Sequence, residues 1–288
     1  MRLEVSVPAT SANLGPGFDA AAIAHDLRNE VVCETHVGAA VVVEGEGAGE
    51  LPVDGSNLLV RTIAYVAREI GGSLPPLRLE CRNRIPLERG LGSSAAAVVA
   101  GVLLADRLLG AGLPRERLFQ LAVDVEGHPD NVAACLHGGL VLTYLSGDGW
   151  RTVPLAPHPA LRPALLVPEH ERLATDDARR MLPREVPLSD AVFNVGRAAL
   201  SVVALTERPE LLGVALEDRL HQPHRLPLVP ATRAMFQKLR DAGIPVCVSG
   251  AGPSLLAFER DGATVPDLGP GWRILRIPVG DGARIRES

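Results

Sequence analysis

Apolar and polar residues alternate over Leu3 to Val7, and β-branched or alternating residues lie between loop signals over Glu30 to His36, Ala39 to Glu44 and Leu77 to Arg82. Each stretch predicts a strand, because side chains two apart in a strand share a face. Elsewhere the period lengthens. Asn57 to Ile70 predicts a helix that Ser56 or Asn57 can cap, and Ser93 to Leu109 predicts a second, almost wholly apolar and therefore buried. A third starts at Pro114, a residue suited to a first turn, carries Leu118, Leu121, Ala122 and Val125 on one face, and stops near Gly127.

A strand at Gly139 to Leu145 closes this half, and the proline-rich segment Leu155 to Pro163 reads as a linker. The expected domains are therefore 1–155 and 156–288. The second half predicts a strand at Ala164 to Val167 and helices at Asp176 to Met181, Leu188 to Leu205 and Ala231 to Ala242. Strands follow at Pro245 to Ser249, Leu255 to Glu259 and Arg273 to Pro278. The fold class is α+β, without internal repeat.

Composition narrows the chemistry. With 47 % apolar and 22 % charged residues in 288, the chain has ordinary globular usage and length for a sizeable core. A net charge of -5 and no Lys/Arg run argue against a nucleic-acid partner. Lys238 is the only lysine, which removes any mechanism that needs a phosphate-binding lysine elsewhere. Cys33, Cys81, Cys135 and Cys247 are far apart and form no CxxC pair, so reduced core thiols are expected. Neither a signal-peptide pattern at Met1 to Pro8 nor a membrane-spanning apolar run is read, so a cytoplasmic protein without a membrane partner is expected.

The stretch Pro86-Leu87-Glu88-Arg89-Gly90-Leu91-Gly92-Ser93-Ser94-Ala95-Ala96 joins a strand to the buried helix. Glycines let backbone N–H groups converge, and the helix adds unpaired first-turn donors and the positive end of its dipole, so the loop can hold an anion such as phosphate. Ser93 or Ser94 could equally be a plain N-cap. A Walker A loop fails for want of Gly-Lys-Ser/Thr, and a dinucleotide fingerprint fails because Ala95 stands at the third glycine position.

Glu126 lies at the edge of the third helix's apolar stripe and near its C-terminus, where the dipole disfavours negative charge by ~0.3–1 kcal/mol. A magnesium ion would offset both costs; a surface glutamate at a frayed end is the alternative. Gly127-His128-Pro129-Asp130-Asn131-Val132 follows, where His128 could be a turn residue and Asp130 a cap for a short helix, while the Asn131 amide can donate and accept. Pro8 to Asp19 is a run of small residues, glycines and prolines, and Val248-Ser249-Gly250-Ala251-Gly252-Pro253-Ser254 is a second glycine loop.

Together these stretches resemble the GHMP kinases, the group named for galactokinase, homoserine kinase, mevalonate kinase and phosphomevalonate kinase, with the matches running from about Leu3 to Phe258. Thr175 to Pro183 and Asp218 to Arg225 turn the resemblance towards the homoserine kinase branch. It implies a two-domain GHMP kinase fold, ribosomal protein S5 domain 2-like in the N-terminal domain and ferredoxin-like in the C-terminal one. It further implies ATP and Mg2+, with ATP on Pro86 to Ala96, the metal on Ser94 and Glu126, and catalytic roles for Ser94, Glu126 and Asn131. Asn13, Asp19, His128, Asn131, Thr175, Arg179 and Arg225 are the implied contacts to L-homoserine, with Asp19 on the ammonium and the two arginines on the carboxylate. Phosphorylation of that alcohol to O-phospho-L-homoserine belongs to threonine biosynthesis, and a homodimer is compatible with the resemblance. A mevalonate-type kinase and a catalytically silent nucleotide-binding regulator remain the alternatives. Two departures stand out: Ala20-Ala21-Ala22, where the third position is usually glycine, and Ala134 in place of proline. No general base is evident.

Overall fold

Leu3, Val5 and Val7 share one buried face, as alternation requires. In the computed structural model, which describes every residue except 37, 39, 148, 261 and 288, they belong to β1 (Arg2–Ala12), which continues past Val7 into the small-residue stretch. β2 (Ala21–Thr35) likewise starts well before Glu30. Its opening alanines hide the strand from a β-propensity reading, yet Ala21 to Ala24 are all buried. β3 (Ala40–Gly45) and β4 (Leu77–Asn83) follow expectation, although Ala39 lies outside the described residues.

Three predicted helices appear as α1 (Leu58–Glu69), α2 (Ser93–Leu109) and α3 (Arg115–Glu126). Asn57 caps α1 by accepting from the Leu59 N–H. α4 (Pro129–His137), unassigned from the sequence apart from a possible cap, lies against the first two strands. β5 (Leu140–Ser146) pairs with β6 (Gly149–Leu155), a strand the sequence reading missed. These strands form a sheet ordered β3-β4-β2-β1, with β5 beside the start of β2, because β2 is long enough to pair with β4 over Glu30 to Thr35 and with β5 over Ala21 to Ile23. α2 packs on β1 between α1, α3 and α4, which explains its apolar composition.

The second half supplies β7 (Arg162–Pro168), α5 (Thr175–Arg180), α6 (Leu188–Thr206), α7 (Leu212–Ala215), α8 (Gln222–Arg225), α9 (Pro230–Asp241), β8 (Val246–Val248), β9 (Leu255–Glu259) and β10 (Trp272–Leu275). An antiparallel sheet ordered β10-β7-β9-β8 results, with Met235, Phe236 and Leu239 of α9 in its core. The chain then returns: β11 (Arg284–Glu287) pairs with β1, extending the first sheet at its other edge. Leu165, Val167, Leu256 and Phe258 of the second sheet join the first core, so the two sheets are packed into each other. All four cysteines are buried free thiols. Among the described residues, α6 is the one helix long and apolar enough to cross a membrane by length and composition; it carries buried Asn194 and Ser201.

Candidate active site

The glycine loop is held by backbone geometry. Gly90 and Gly92 have φ of 68° and 70°, where side chains are disfavoured, and a Cβ on Gly92 would stand 2.0 Å from Thr10 Oγ1. Gly92 is also the N-cap residue of α2, and neither Ser93 nor Ser94 caps the helix, so its first-turn donors are left for a ligand. The second glycine loop packs against the first, as the Ser249 hydroxyl donates to Gly90 O over 2.7 Å. Arg89 turns away from the cradle: its Nε donates to Pro168 O (2.9 Å) and a terminal nitrogen to Glu169 O (3.0 Å), tying the loop to the end of β7.

Glu126 ends α3 beside this cradle. Ser94 Oγ donates to its carboxylate over 2.6 Å, and burial pushes the group up to about 7 despite that bond. Asp130 lies in the first turn of α4, 2 % exposed, with its carboxylate accepting from the Asn131 N–H rather than capping the helix; His128 is the N-cap residue. Burial, with Asp19 nearby, pushes Asp130 up to about 7. The Thr10 hydroxyl donates to Asn131 Oδ1 (2.7 Å), which orients the amide and leaves its NH2 for a ligand.

Beyond Asn131 charged side chains from distant segments meet. Asp19 holds Arg179 in a two-pronged ion pair, with oxygen–nitrogen distances of 3.1 and 2.5 Å. Arg225, 2 % exposed, donates to Gly250 O (2.9 Å) and contacts His221 Nδ1 (3.2 Å). His221 Nε2 is 2.7 Å from Gly15 O, which places the ring's proton on Nε2; burial lowers this histidine to about 4, so it stays neutral. Both arginines lie over the Phe18 ring, at 5.6 and 5.3 Å from its centroid. The Nε–H groups of Arg179 and Arg225 are buried without an acceptor among the described residues.

The loop before Asp19 is strained to fit. Asn13, Leu14, Gly15 and Asp19 all have positive φ, and an L-residue there costs ~1–2 kcal/mol. Asn13 offsets this by bridging: its Nδ2 donates to Gly250 O (2.8 Å) and its Oδ1 accepts from the Asp19 N–H (3.1 Å). Its amide, expected at the substrate, thus positions the residue beside it.

A single cavity of about 530 Å³ joins these parts. Every expected site residue lines it except Ala95, which faces the core instead and is fully buried. The sequence reading missed two features. Asp130 was seen only as a cap, although an acid in an otherwise apolar short helix signals a special environment. The other end of the cavity, lined by Val31, Val43, Leu51, Leu59 and Cys81, left no local signal because its apolar residues come from separate strands and helices.

Residues 57–139 match the model for the GHMP kinases N terminal domain, and residues 201–266 the model for GHMP kinases C terminal. The chain belongs to the GHMP kinase family, whose general fold the two packed sheets reproduce. Its curated relatives include the homoserine kinase of Streptomyces avermitilis, 45 % identical over 96 % of this chain and 93 % of that protein. The homoserine kinase of Streptomyces coelicolor is 47 % identical over 89 % and 84 % respectively. Among solved structures, homoserine kinase from Cytophaga hutchinsonii superposes with a TM-score of 0.85 at 30 % identity, covering 99 % of this chain and 97 % of that one. L. major mevalonate kinase, at 16 % identity, TM-score 0.67 and coverage of 96 % and 95 %, shares the fold.

Proposed function

We propose that this chain transfers the γ-phosphoryl group of ATP to the side-chain hydroxyl of L-homoserine, giving ADP and O-phospho-L-homoserine for threonine biosynthesis in the cytoplasm. The observation that carries the acceptor's identity is the pair of unpaired, buried Nε–H donors on Arg179 and Arg225 beside Asp19 and Asp130. A buried donor without a partner costs ~1–3 kcal/mol, which a bound carboxylate recovers. An α-amino acid brings that carboxylate and an ammonium for the acids. Mevalonate lacks the ammonium and a sugar lacks both.

The ion pair between Asp19 and Arg179 means that substrate binding is an exchange of partners. The substrate's carboxylate takes up guanidinium donors and its ammonium takes up carboxylate oxygens. The phosphate chain of ATP rests on the backbone N–H groups of the glycine loop and the N-terminus of α2, so no lysine is needed; Lys238, exposed on α9, is not among the cavity's lining residues. Ser94 Oγ and the Glu126 carboxylate fit a hard, oxygen-seeking ion: the acid is half-buried, raised to about 7 and has the hydroxyl alongside. Mg2+ held there supplies charge neutralisation on the transferring phosphoryl group. The protein's remaining work is positioning, which phosphoryl transfer chiefly requires. Thr10 fixes Asn131, Asn13 fixes Asp19, and His221 and Gly250 fix Arg225.

Coupled ADP release with L-homoserine, mevalonate and galactose side by side tests this. Magnesium-dependent turnover is expected with homoserine alone. Turnover with mevalonate and none with homoserine rejects the acceptor; ATP binding without turnover on any alcohol favours a silent regulator.

A further inference from the structure

One buried polar chain takes no part in the transfer as described so far. Ser11, His25 and Ser249 are each fully buried. β1 and β2 pair Ala9 with His25 and Ser11 with Ile23, so Ser11 and His25 share a face as diagonal neighbours, within reach of an imidazole. His25 Nε2 lies 2.7 Å from Ser11 Oγ, Ser11 Oγ lies 2.7 Å from Ser249 Oγ, and Ser249 Oγ lies 2.7 Å from Gly90 O. The contacts run in line from the first sheet through the second glycine loop to the first. Gly90 lines the cavity, and the three side chains behind it do not.

The chain has one consistent direction. A carbonyl oxygen only accepts, so the Ser249 proton goes to Gly90 O. Ser249 Oγ then has only lone pairs to offer, so the Ser11 proton goes to Ser249, and the last contact is filled by an N–H on His25 Nε2. Burial lowers this histidine to about 4, which keeps the ring neutral with a single N–H. Nδ1 is then the bare nitrogen, and it is the ring atom without a partner among the described residues. The opposite tautomer would strand a buried N–H there and leave one of the three contacts without a proton.

The far end of the chain acts on the cradle. Gly90 O and the Leu91 N–H belong to one planar trans unit and point in opposite directions. With the carbonyl drawn to Ser249, outside the cavity lining, the N–H is turned towards the cavity, where it adds to the donors at the start of α2. Gly90, at φ of 68°, has no side chain to restrain this unit, so the bond at its carbonyl does so.

We propose that His25 is a positioning residue for the phosphate cradle: through Ser11 and Ser249 it commits the proton that holds Gly90 O, and with it the peptide N–H that the nucleotide's phosphates meet. The assignment rests on the glycine loop being the ATP site. Steady-state kinetics and calorimetric binding of Mg–ADP to the full chain test it. His25→Leu keeps the bulk and removes the donor, freeing the Ser249 proton to turn to Ser11. It should raise KM for ATP and the dissociation constant of Mg–ADP about five- to tenfold, the worth of one neutral hydrogen bond, and leave KM for homoserine within about twofold. The acceptor end is spared because Gly250 keeps its own bonds, from its N–H to Ala12 O and from Asn13 and Arg225 to its carbonyl. His25→Gln, which carries an N–H at similar reach, should recover most of the loss. Ser249→Ala should weaken ADP at least as much as His25→Leu, and the double variant should be no weaker than Ser249→Ala alone, since both break one chain. Nitrogen-15 NMR of histidine-labelled wild type needs no variant and should show His25 protonated at Nε2 and bare at Nδ1. A proton on Nδ1 overturns the proposal. So does ADP binding indifferent to His25→Leu, or a loss shared equally by ATP and homoserine and not recovered by His25→Gln, which would make His25 a packing residue only. A wild-type chain that binds no Mg–ADP rejects the ATP site itself and the proposal with it.

Discussion

On the proposed function, the two ends of the cavity bind charge by opposite means. At the phosphate end the attraction comes from backbone: glycines at positive φ, the uncapped start of α2, and an arginine whose guanidinium is spent on carbonyls of β7. At the acceptor end it comes from side chains, with Asp19, Asp130, Arg179 and Arg225 delivered by four different segments and partly paired with one another. A backbone cradle accepts any phosphate chain, and its strength hardly depends on which side chains surround it. Paired side-chain charges discriminate, because they release one another only for a ligand that replaces both.

That contrast is sharpened first at the seam between the ends. Glu126→Gln keeps the shape and removes the charge, and loss of a metal-holding carboxylate costs several kcal/mol of transition-state stabilisation; kcat should fall on the order of 10²–10³-fold. A magnesium titration of initial rates checks it, and normal turnover would take the metal away from Glu126. Next, Arg179→Ala should raise KM for homoserine about ten- to hundredfold, from ~1.5–3 kcal/mol for a charged hydrogen bond, while KM for ATP changes little. Equal effects on both constants would break the division into two ends. Gly92→Ala should raise KM for ATP about tenfold, from strain of ~1–2 kcal/mol at φ of 70°, read in the same assay, with a second effect on homoserine because the new Cβ meets Thr10 Oγ1, which holds Asn131.

The smallest effect is on stability. Glu126 and Asp130 are both pushed up to about 7 by burial, above their unfolded values. A raised carboxyl favours the folded state fully below its unfolded pKa, and that contribution is lost as pH rises towards the folded pKa. The thermal midpoint of the free chain should therefore drop between pH 5 and 8, by about 2–4 °C per kcal/mol for a domain this size. Asp130→Asn combined with Glu126→Gln should flatten the profile. A midpoint that rises over this range would contradict the burial of these acids.

Legibility followed the same divide. The phosphate cradle lies within one short stretch, so its glycines, serines and following helix could be read together from residues 86–96. α2 was bounded to the residue because a wholly apolar helix between Gly92 and Gly110 has clear ends. The early part of β2 was not legible, since alanines carry little strand preference and their burial is decided by α4 packing above. Nor was β11, whose pairing with β1 joins opposite ends of the chain. At the acceptor end the residues named from the sequence do line one cavity, but their relations were not legible. Nothing local says that Asp19 and Arg179 hold each other, that Asn13 is a brace, or that Arg89 turns from the glycine loop to the carbonyls of Pro168 and Glu169.

The central claim is that this site selects an acceptor by both of its charges, and one experiment addresses it directly. Wild-type chain, ATP and Mg2+ are incubated with equimolar L-homoserine, 3-aminopropan-1-ol and 4-hydroxybutyrate, and the products are followed by phosphorus-31 NMR. Each analogue keeps the hydroxyl and lacks either the carboxylate or the ammonium. The account predicts a growing O-phospho-L-homoserine signal with neither analogue phosphorylated at a comparable rate. Phosphorylation of either analogue as fast as homoserine would contradict it.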